Sequence, residues 1–169
     1  MPSFMREINI VSRCGSIFRS EKLKSYGLGD NNHSYILILC RNPGISQDAL
    51  ARRLFINKSN VTRTLAQLEQ TGFVTRRVSE KDRRVTLVYP TDKAYEVLPT
   101  VREVLREWRE YLTEGFTEEE KKLLLDLTHR LAVRAAEYAD LSDDALRDDF
   151  AENGEVGGKK GSGKGGEAP

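Results

Sequence analysis

Residues 45–89 read ISQDALARRLFINKSNVTRTLAQLEQTGFVTRRVSEKDRRVTLVY and contain the most informative pattern of the chain. Ser46 can accept hydrogen bonds from the free N–H groups of a short helix, and Asn57 can do the same for a second one. Gly72 follows the second helix, as glycine commonly does after a last helical turn. The segment therefore begins with two short helices joined by a tight turn.

A β-hairpin is predicted directly after these helices. Residues 73–78 and 84–89 are rich in β-branched and aromatic side chains, and the five residues between them are all polar. Two helices, a tight turn and a hairpin with a charged tip predict a winged helix-turn-helix, whose second helix is sized for the major groove of DNA. The expected fold class is mainly α with a small β-hairpin wing and flanking dimerisation helices.

Helical patterns lie on both sides of this unit. Residues 4–26 carry two apolar stripes at three-and-four spacing, which predicts a helix with two buried faces, and a short apolar helix is expected around residues 35–40. Thr91 can cap a long helix, and Pro99 should kink that helix or loosen its first turns. Thr117 can begin a last long helix with a capping box.

The predicted organisation has four parts. These are an N-terminal dimerisation helix over residues 1–30, the winged helix-turn-helix over 31–90, C-terminal dimerisation helices over 91–150, and a disordered Gly/Lys-rich tail over 151–169. The tail has hardly any apolar side chain to bury, so ordering it would not be compensated.

The formal net charge of the 169 residues is +1, but its distribution is uneven. Residues 46–89 hold nine Lys/Arg and four Asp/Glu, a net +5, whereas residues 91–153 hold nine Lys/Arg and seventeen Asp/Glu, a net −8. A basic module can neutralise phosphates while an acidic helical segment stays in water. Ordinary solvated faces would give the same distribution, so charge alone leaves both interpretations open.

Composition and motifs exclude several classes of protein. No apolar run approaches the roughly 20 residues of a membrane span, and no secretory signal is recognisable, so we expect a cytoplasmic protein with no membrane partner, on the nucleoid when bound to DNA. Two cysteines and two histidines provide neither a disulfide framework nor zinc-ligand spacing, so no metal and no cofactor are expected. The sequence contains neither a nucleophile with a nearby base nor a phosphate-binding glycine loop, so it gives no indication of an enzyme.

Contacts to bases are expected from the second helix. Arg63 can donate two hydrogen bonds to a guanine edge, and Asn60 or Gln67 can pair similarly with adenine. The Thr62 methyl group can contact a thymine methyl. Three residues near helix starts are better placed for phosphates, because backbone N–H groups add to the attraction there. They are Ser46, Lys58 and Ser59.

The hairpin tip is the second predicted DNA contact. Arg83 or Arg84 is long enough to enter the minor groove, and the Asp82 carboxylate can hold an arginine in its working pose through a bidentate bond. A solvated hairpin end with routine ion pairs is the alternative. The complete predicted DNA-binding set is Ser46, Lys58, Ser59, Asn60, Thr62, Arg63, Gln67, Arg76, Lys81, Asp82, Arg83 and Arg84.

Several short segments, taken together, resemble the MarR family of bacterial transcription regulators. They are NPGISQDALA at 42–51, KSNVTR at 58–63, LEQTGFV at 68–74, RR at 76–77, EKDRR at 80–84 and TDK at 91–93. The resemblance implies a homodimer formed by the first helix and the last two. It also implies a pseudo-palindromic operator, usually repression and, in many members, release of DNA by a small ligand. Asp82 and Arg84 match the wing-tip acid and arginine of the family.

The resemblance has two departures, and the residues themselves also favour a dimer. Pro90 and Ala94 stand where the family usually has Leu and Gly, so the start of the long helix is expected to differ. The first helix and the apolar residues of the last two offer more apolar surface than one small core can hide. Homodimerisation is therefore expected on both grounds.

Two further expectations depend on individual side chains. Tyr26, His33 and Tyr35 lie near the crevice that the resemblance implies, so they are candidates for binding a small aromatic or anionic effector, although a structural role is the commoner explanation. Cys14 is the candidate for thiol-based redox sensing, because some relatives sense peroxides through a cysteine in the first helix. A buried structural thiol is preferred for Cys14 and for Cys40. A winged-helix module that binds protein is a further alternative.

Overall fold

Six α-helices, a short 3-10 helix and a three-stranded sheet make up residues 3–29 and 32–139, which the computed structural model describes. The helices are α1 (Phe4–Leu23), α2 (Asn32–Arg41), α3 (Gln47–Leu54), α4 (Lys58–Gln70), α5 (Asp92–Leu112) and α6 (Glu118–Tyr138), with the 3-10 helix at Lys24–Tyr26. The strands are β1 (Ile45–Ser46), β2 (Val74–Val78) and β3 (Thr86–Pro90). The mainly helical fold with a β-hairpin wing is confirmed. The predicted tail over 151–169 lies outside the described residues, as does the end of the predicted C-terminal helices.

The hydrophobic core fills the space between α2, α4, the sheet and α5. The predicted stripe on α4 is confirmed, because Val61, Leu65 and Leu68 are fully buried. Residues 35–40 of α2 are buried on every side, as expected for a helix that is apolar all round. The inner face of α5 closes the core with Ala94, Val97, Leu98, Val101 and Val104. Pro99, which is exposed, does not interrupt α5.

Local hydrogen bonds fix the helix starts where the sequence predicts them. The Ser46 hydroxyl accepts from the Ala49 N–H at 3.2 Å, and the Asn57 side chain accepts from the Asn60 N–H at 2.9 Å. Thr117 begins α6 with a complete capping box. Phe55 ends α3 in the left-handed region at φ +56°, where non-glycine residues are uncommon, and so forms the tight turn before α4.

The predicted role of Thr91 as a helix cap is wrong. Thr91 does occupy the position before α5, but its hydroxyl donates to the Gly72 carbonyl oxygen at 2.7 Å and makes no capping bond to α5. The end of α4 leaves backbone carbonyl groups without helical partners, and Thr91 satisfies one just beyond it. Its side chain therefore joins the start of α5 to the segment that follows α4.

The sheet contains one strand that the sequence did not predict. Its order is β1-β3-β2, so the two-residue strand β1 pairs with the outer side of the hairpin, with Ile45 opposite Val88. Gly44 precedes β1 at φ +81°, and a Cβ atom there would lie 3.0 Å from the Tyr89 ring. A glycine is therefore required for the chain to turn into the sheet at this point.

The helices α1 and α6 are much less buried than the winged unit, which consists of α2, β1, α3, α4, β2 and β3. Within Phe4–Leu23, all of which the structure describes, only Gly15 and Leu23 are buried. Within Glu118–Tyr138, also described throughout, only Ala136 is buried. One face of α1 packs on α5, where the Phe18 and Trp108 rings stack 5.2 Å apart, but most apolar side chains of α1 are exposed. The prediction that the first helix buries two faces is therefore wrong for a single chain. None of the described helices is long and apolar enough to cross a membrane.

Candidate DNA-binding surface

The outer face of α4 presents the side chains that were predicted to contact bases. Ser59, Thr62 and Arg63 are exposed on the side away from the buried stripe. Thr62 donates its hydroxyl proton to the Lys58 carbonyl oxygen at 2.9 Å, which leaves its methyl group for apolar contact. Within residues 3–29 and 32–139, the one side-chain hydrogen bond of Arg63 is a long one, 3.4 Å, to the Asn60 side chain. The Arg63 guanidinium is thus held loosely and can turn toward a base edge.

The start of α4 is joined to α3 by an exposed ion pair. The Lys58 ammonium group lies 2.7 Å from the Asp48 carboxylate. Asp48 and Arg52 line two shallow grooves, one shared with Lys58 and the other with Ser46 and Arg84. Three residues that were predicted to contact DNA, Ser46, Lys58 and Arg84, thus lie in grooves next to Asp48. Arg52 was not predicted, although its position four residues after Asp48 places it on the same side of α3.

The wing tip has the arrangement that the sequence predicted for Asp82. The Arg84 guanidinium donates to both Asp82 carboxylate oxygens, at 3.1 and 3.2 Å, and the Arg84 N–H donates to the first of them at 3.0 Å. Side-chain hydrogen bonds from Arg84 lower the pKa of the Asp82 carboxyl below its ordinary value of 3.8. Arg84 remains 90% exposed, so the pair orients this side chain without hiding it. Lys81 and Arg83 are also exposed at the tip.

At the base of the wing, Arg76 pairs with an acidic residue of α4. Arg76 was expected to contact DNA, but its guanidinium donates two hydrogen bonds to the Glu69 carboxylate, at 2.9 and 2.6 Å. These bonds lower the pKa of Glu69 below its ordinary value of 4.5. Both side chains are partly buried between α4 and β2. The structure therefore places Arg76 in a contact within the protein, apart from the exposed residues of the tip.

A polar cleft of about 530 Å³ lies between the start of α2 and α4. Its lining comprises Gly29, Asn32, Ser34, Tyr35, Leu54, Ile56, Asn60, Arg63, Thr64 and Gln67. Three of these residues, Asn60, Arg63 and Gln67, were predicted to contact bases. The cleft and the face of α4 that was predicted to read DNA therefore share side chains, and Arg63 is one of them.

The three effector candidates differ in their relation to this cleft. Tyr35 lines it, and its buried hydroxyl has no hydrogen-bond partner of good geometry among the described residues. Burial raises the pKa of Tyr35, and the neighbouring Thr64 side chain opposes this rise. His33 is buried beside it and meets the Ser34 hydroxyl at 3.2 Å, whereas Tyr26 is exposed and does not line the cleft. Sequence reasoning missed Thr64, although it lies one helical turn after Asn60.

The two cysteines lie in different surroundings. Cys40 is buried in α2, and this burial raises the pKa of its thiol to about 12, so the prediction of a structural thiol is confirmed there. Cys14 is exposed on α1 in the single chain, so the preferred interpretation of a buried thiol is wrong for it. Redox sensing through Cys14 stays a prediction.

Known proteins share both this sequence pattern and this fold. A sequence model of the MarR family matches residues 26–85. The HTH-type transcriptional regulator YybA of Bacillus subtilis, itself uncharacterized, is 28% identical over 131 residues, which are 78% of this chain and 87% of that protein. The family model ends just before β3, whereas the match to YybA is longer than the winged unit.

Solved structures extend the likeness to nearly the whole described chain. The crystal structure of MarR is 30% identical and superposes with a TM-score of 0.75, covering 82% of this chain and 94% of MarR. A MarR family regulator from Listeria monocytogenes, solved with a 26mer DNA, has a TM-score of 0.76 at 23% identity, covering 81% and 91%, and shows the shared fold alone. The relatives are transcriptional regulators and not enzymes, as expected. With its exposed reading helix, its wing and this extent of likeness, the chain belongs to the MarR family of DNA-binding transcriptional regulators.

Proposed function

We propose that this protein is a homodimeric repressor that acts in the cytoplasm on a pseudo-palindromic operator. In each copy, α4 reads the major groove and the wing reaches the adjacent minor groove. The observation that carries the proposal is the exposed Arg63 on the outer face of α4, beside Ser59 and Thr62. An arginine in this position can donate two hydrogen bonds to a guanine edge, which is the commonest specific contact in protein–DNA complexes.

Dimerisation is supported by the apolar surface that one chain leaves uncovered. Phe4 and Ile8 of α1 form an apolar groove of about 830 Å³ with leucines of α6. These leucines are Leu124, Leu127 and Leu131, and all three are exposed in the single chain. Large exposed apolar patches mark interaction sites in soluble proteins. A second copy that covers this groove with two-fold symmetry would place two reading helices one DNA turn apart.

The reading face is tested by comparing Arg63→Ala with Lys58→Ala. With an operator selected from genomic DNA, Arg63→Ala should cost about 1–3 kcal/mol at one base pair and relax specificity there. Lys58→Ala should weaken binding to all sequences alike and reduce the salt slope by about 1. Fluorescence anisotropy against the operator and its single-base variants measures both effects.

A matched control removes an arginine outside the winged unit. Arg106 of α5 pairs with Glu103 and Glu110, so Arg106→Ala changes the net charge equally without touching α4. We expect it to leave base discrimination unchanged. Equal discrimination by Arg63→Ala and the unsubstituted protein would mean that the assigned face does not read the operator.

We also propose that a small aromatic anion binds in the cleft between α2 and α4 and releases the DNA. The support is chemical: the cleft combines the Arg63 guanidinium with the buried Tyr35 hydroxyl, which has no hydrogen bond of good geometry among the described residues, and both groups can donate hydrogen bonds to a carboxylate. Since Arg63 also belongs to the reading face, a bound anion and a base edge would compete for one guanidinium. Release by such a ligand would then need no large conformational change.

Benzoate, with the neutral benzyl alcohol as matched control, is a direct probe of this site. Benzoate should lower operator occupancy while benzyl alcohol should not, because only the anion pairs with Arg63. Tyr35→Phe should weaken the benzoate effect and leave operator affinity in its absence unchanged. This cleft would be rejected as the effector site if benzoate and benzyl alcohol lowered operator occupancy equally. It would also be rejected if benzoate acted equally on the unsubstituted protein and on Tyr35→Phe.

A further inference from the structure

The pair Glu69–Arg76 joins the two elements of the winged unit that reach DNA. Glu69 lies one residue before the end of α4, and Arg76 is the central residue of β2. Besides the two guanidinium bonds, the Arg76 backbone N–H donates to the other Glu69 carboxylate oxygen at 3.0 Å. One carboxylate therefore holds both the side chain and the backbone of a residue on another element.

The backbone bond shows that Glu69 acts on the strand itself. Within the described sheet, β2 is an edge strand, because the order is β1-β3-β2. An edge strand leaves outward N–H groups without a ladder partner, and Glu69 supplies an acceptor for that of Arg76. The bond is specific for one residue of β2, so a shift of the strand along α4 would lose it.

Other contacts concentrate at the same junction. The Phe73 N–H donates to the Leu68 carbonyl oxygen at 2.8 Å, and Lys93 of α5 donates to the Thr71 carbonyl oxygen at 2.7 Å. The Thr91 bond to Gly72 adds a third connection. These bonds hold the turn between α4 and β2, whereas the Glu69–Arg76 pair spans the turn and joins the last turn of α4 to the middle of β2.

We propose that Glu69 and Arg76 are positioning residues for DNA recognition, which set the spacing between the α4 contact in the major groove and the Arg84 contact in the minor groove. This inference rests on the proposed function of α4 and the wing. From Arg76 to the end of β2 is about 7 Å at 3.3 Å per residue, and the tip lies further out. A rotation of about 10° at the base would therefore move the tip by about 1 to 2 Å, which exceeds the roughly 0.5 Å range of N–H···O hydrogen-bond distances.

The positioning role and a simple phosphate-contact role predict opposite effects of Glu69→Gln on DNA affinity. If Arg76 were a phosphate contact and Glu69 its competitor, Glu69→Gln would remove an acid and strengthen DNA binding. A positioning role requires Glu69→Gln to weaken operator binding, by about tenfold, because the charge-assisted bonds that fix the wing are lost. The slope of log K against log[salt] should stay unchanged, since no phosphate contact is removed.

The experiment measures operator affinity of the full-length protein with Glu69→Gln, Arg76→Gln and both substitutions together. We expect the double variant to bind no more weakly than either single one, because both remove the same contact. An A·T-rich segment narrows the minor groove and attracts arginine, so such a segment is placed in the operator where the wing reaches it. Moving this segment by one base pair should penalise the unsubstituted protein more than the variants, whose wings are less constrained. A role confined to stability would not change this spacing preference, and thermal unfolding of each variant checks that it is folded at the assay temperature.

Three outcomes separate the possible failures. Stronger binding by Glu69→Gln, or a salt slope reduced by Arg76→Gln, would overturn the positioning role in favour of a phosphate contact. Unchanged affinity and spacing preference, with Arg63→Ala still defective, would reject this inference alone. A normal Arg63→Ala variant would instead reject the proposed reading face. If Glu69→Gln fails to fold, Glu69→Asp keeps the charge, shortens the reach by one methylene group and is judged by the same criteria.

Discussion

The winged unit and the helices α1 and α6 differ in how much of their apolar surface is buried within one chain. In the winged unit, Leu65 and Leu68 of α4 are fully buried against α2 and the sheet. In α6, Leu125 is 73% exposed, and its neighbours on the helix are exposed as well. Since most of the stability of a helix in a protein comes from packing its apolar face, α6 needs contacts that the described part of its chain does not supply.

The two regions also differ in charge, and the difference follows their surroundings. The winged unit is basic, whereas the helices after it are acidic. Acidic groups on α5 are balanced locally, as where Arg106 lies between Glu103 and Glu110. The winged unit is thus basic and packed within one chain, while the flanking helices are acidic and leave apolar surface exposed, as we expect if the first binds DNA and the second bind a partner copy. Long-range repulsion between DNA and the acidic helices also favours approach by the winged unit.

The largest effect is expected from charges placed on the exposed apolar face of α6. Leu127→Glu with Leu131→Glu puts two carboxylates, one helical turn apart, into the groove lined by Phe4 and Ile8. We expect dissociation into single chains in sedimentation velocity, because removing two carboxylates from water into an apolar interface costs free energy. Operator affinity should fall by about 100-fold or more, since two linked reading helices no longer bind together. Helical circular dichroism should also decrease as α6 loses its packing.

Lys122→Glu provides the matched control for this variant. It changes the net charge of α6 by the same two units, but Lys122 does not line the apolar groove. This control should remain dimeric and retain most of its operator affinity. A Leu127→Glu, Leu131→Glu variant that still sedimented as a dimer would place the interface elsewhere and remove the basis of the comparison.

Short-range chemistry explains what the sequence could predict about the fold. Ser46, Asn57 and Thr117 accept from N–H groups three residues later, so each helix start is encoded within four residues. The Asp82–Arg84 bond at the wing tip spans only two residues and was predicted for the same reason. The apolar stripe of α4 follows from helical periodicity.

Contacts between distant residues explain what the sequence could not predict. β1 exists because Ile45 meets Val88, and the Thr91 hydroxyl binds Gly72, nineteen residues earlier. The sequence alone does not distinguish Arg76 from the other basic residues of the wing, because its pairing with Glu69 depends on how β2 packs against α4. No local pattern specifies which residues of two elements will face each other, so these pairs depend on the packed fold.

The first helix shows a different limit of sequence reasoning. Its two apolar stripes correctly mark surfaces that avoid water, but periodicity does not say whether the neighbour belongs to the same chain. This is why Ile17 and Cys14 were expected to be buried and are exposed in the single chain. The same ambiguity does not arise for α2, whose apolar residues surround the helix completely.

The smallest expected effect concerns the pKa of Asp82, and it tests whether the winged unit is complete in one chain. Hydrogen bonds from Arg84 hold this pKa below 3.8 in the folded protein, so the pair stabilises the fold at pH values above the unfolded pKa. That contribution is lost as the pH falls through the lowered folded pKa, and the pair is therefore fully formed at neutral pH.

NMR titration of the Asp82 carboxyl should give a lowered pKa that rises toward 3.8 in Arg84→Gln. In the Leu127→Glu, Leu131→Glu variant the pKa should stay lowered, because the wing tip makes its contacts within its own chain. A return to the ordinary value on dissociation would mean that the tip depends on the partner, and that the two regions are less independent than their packing indicates.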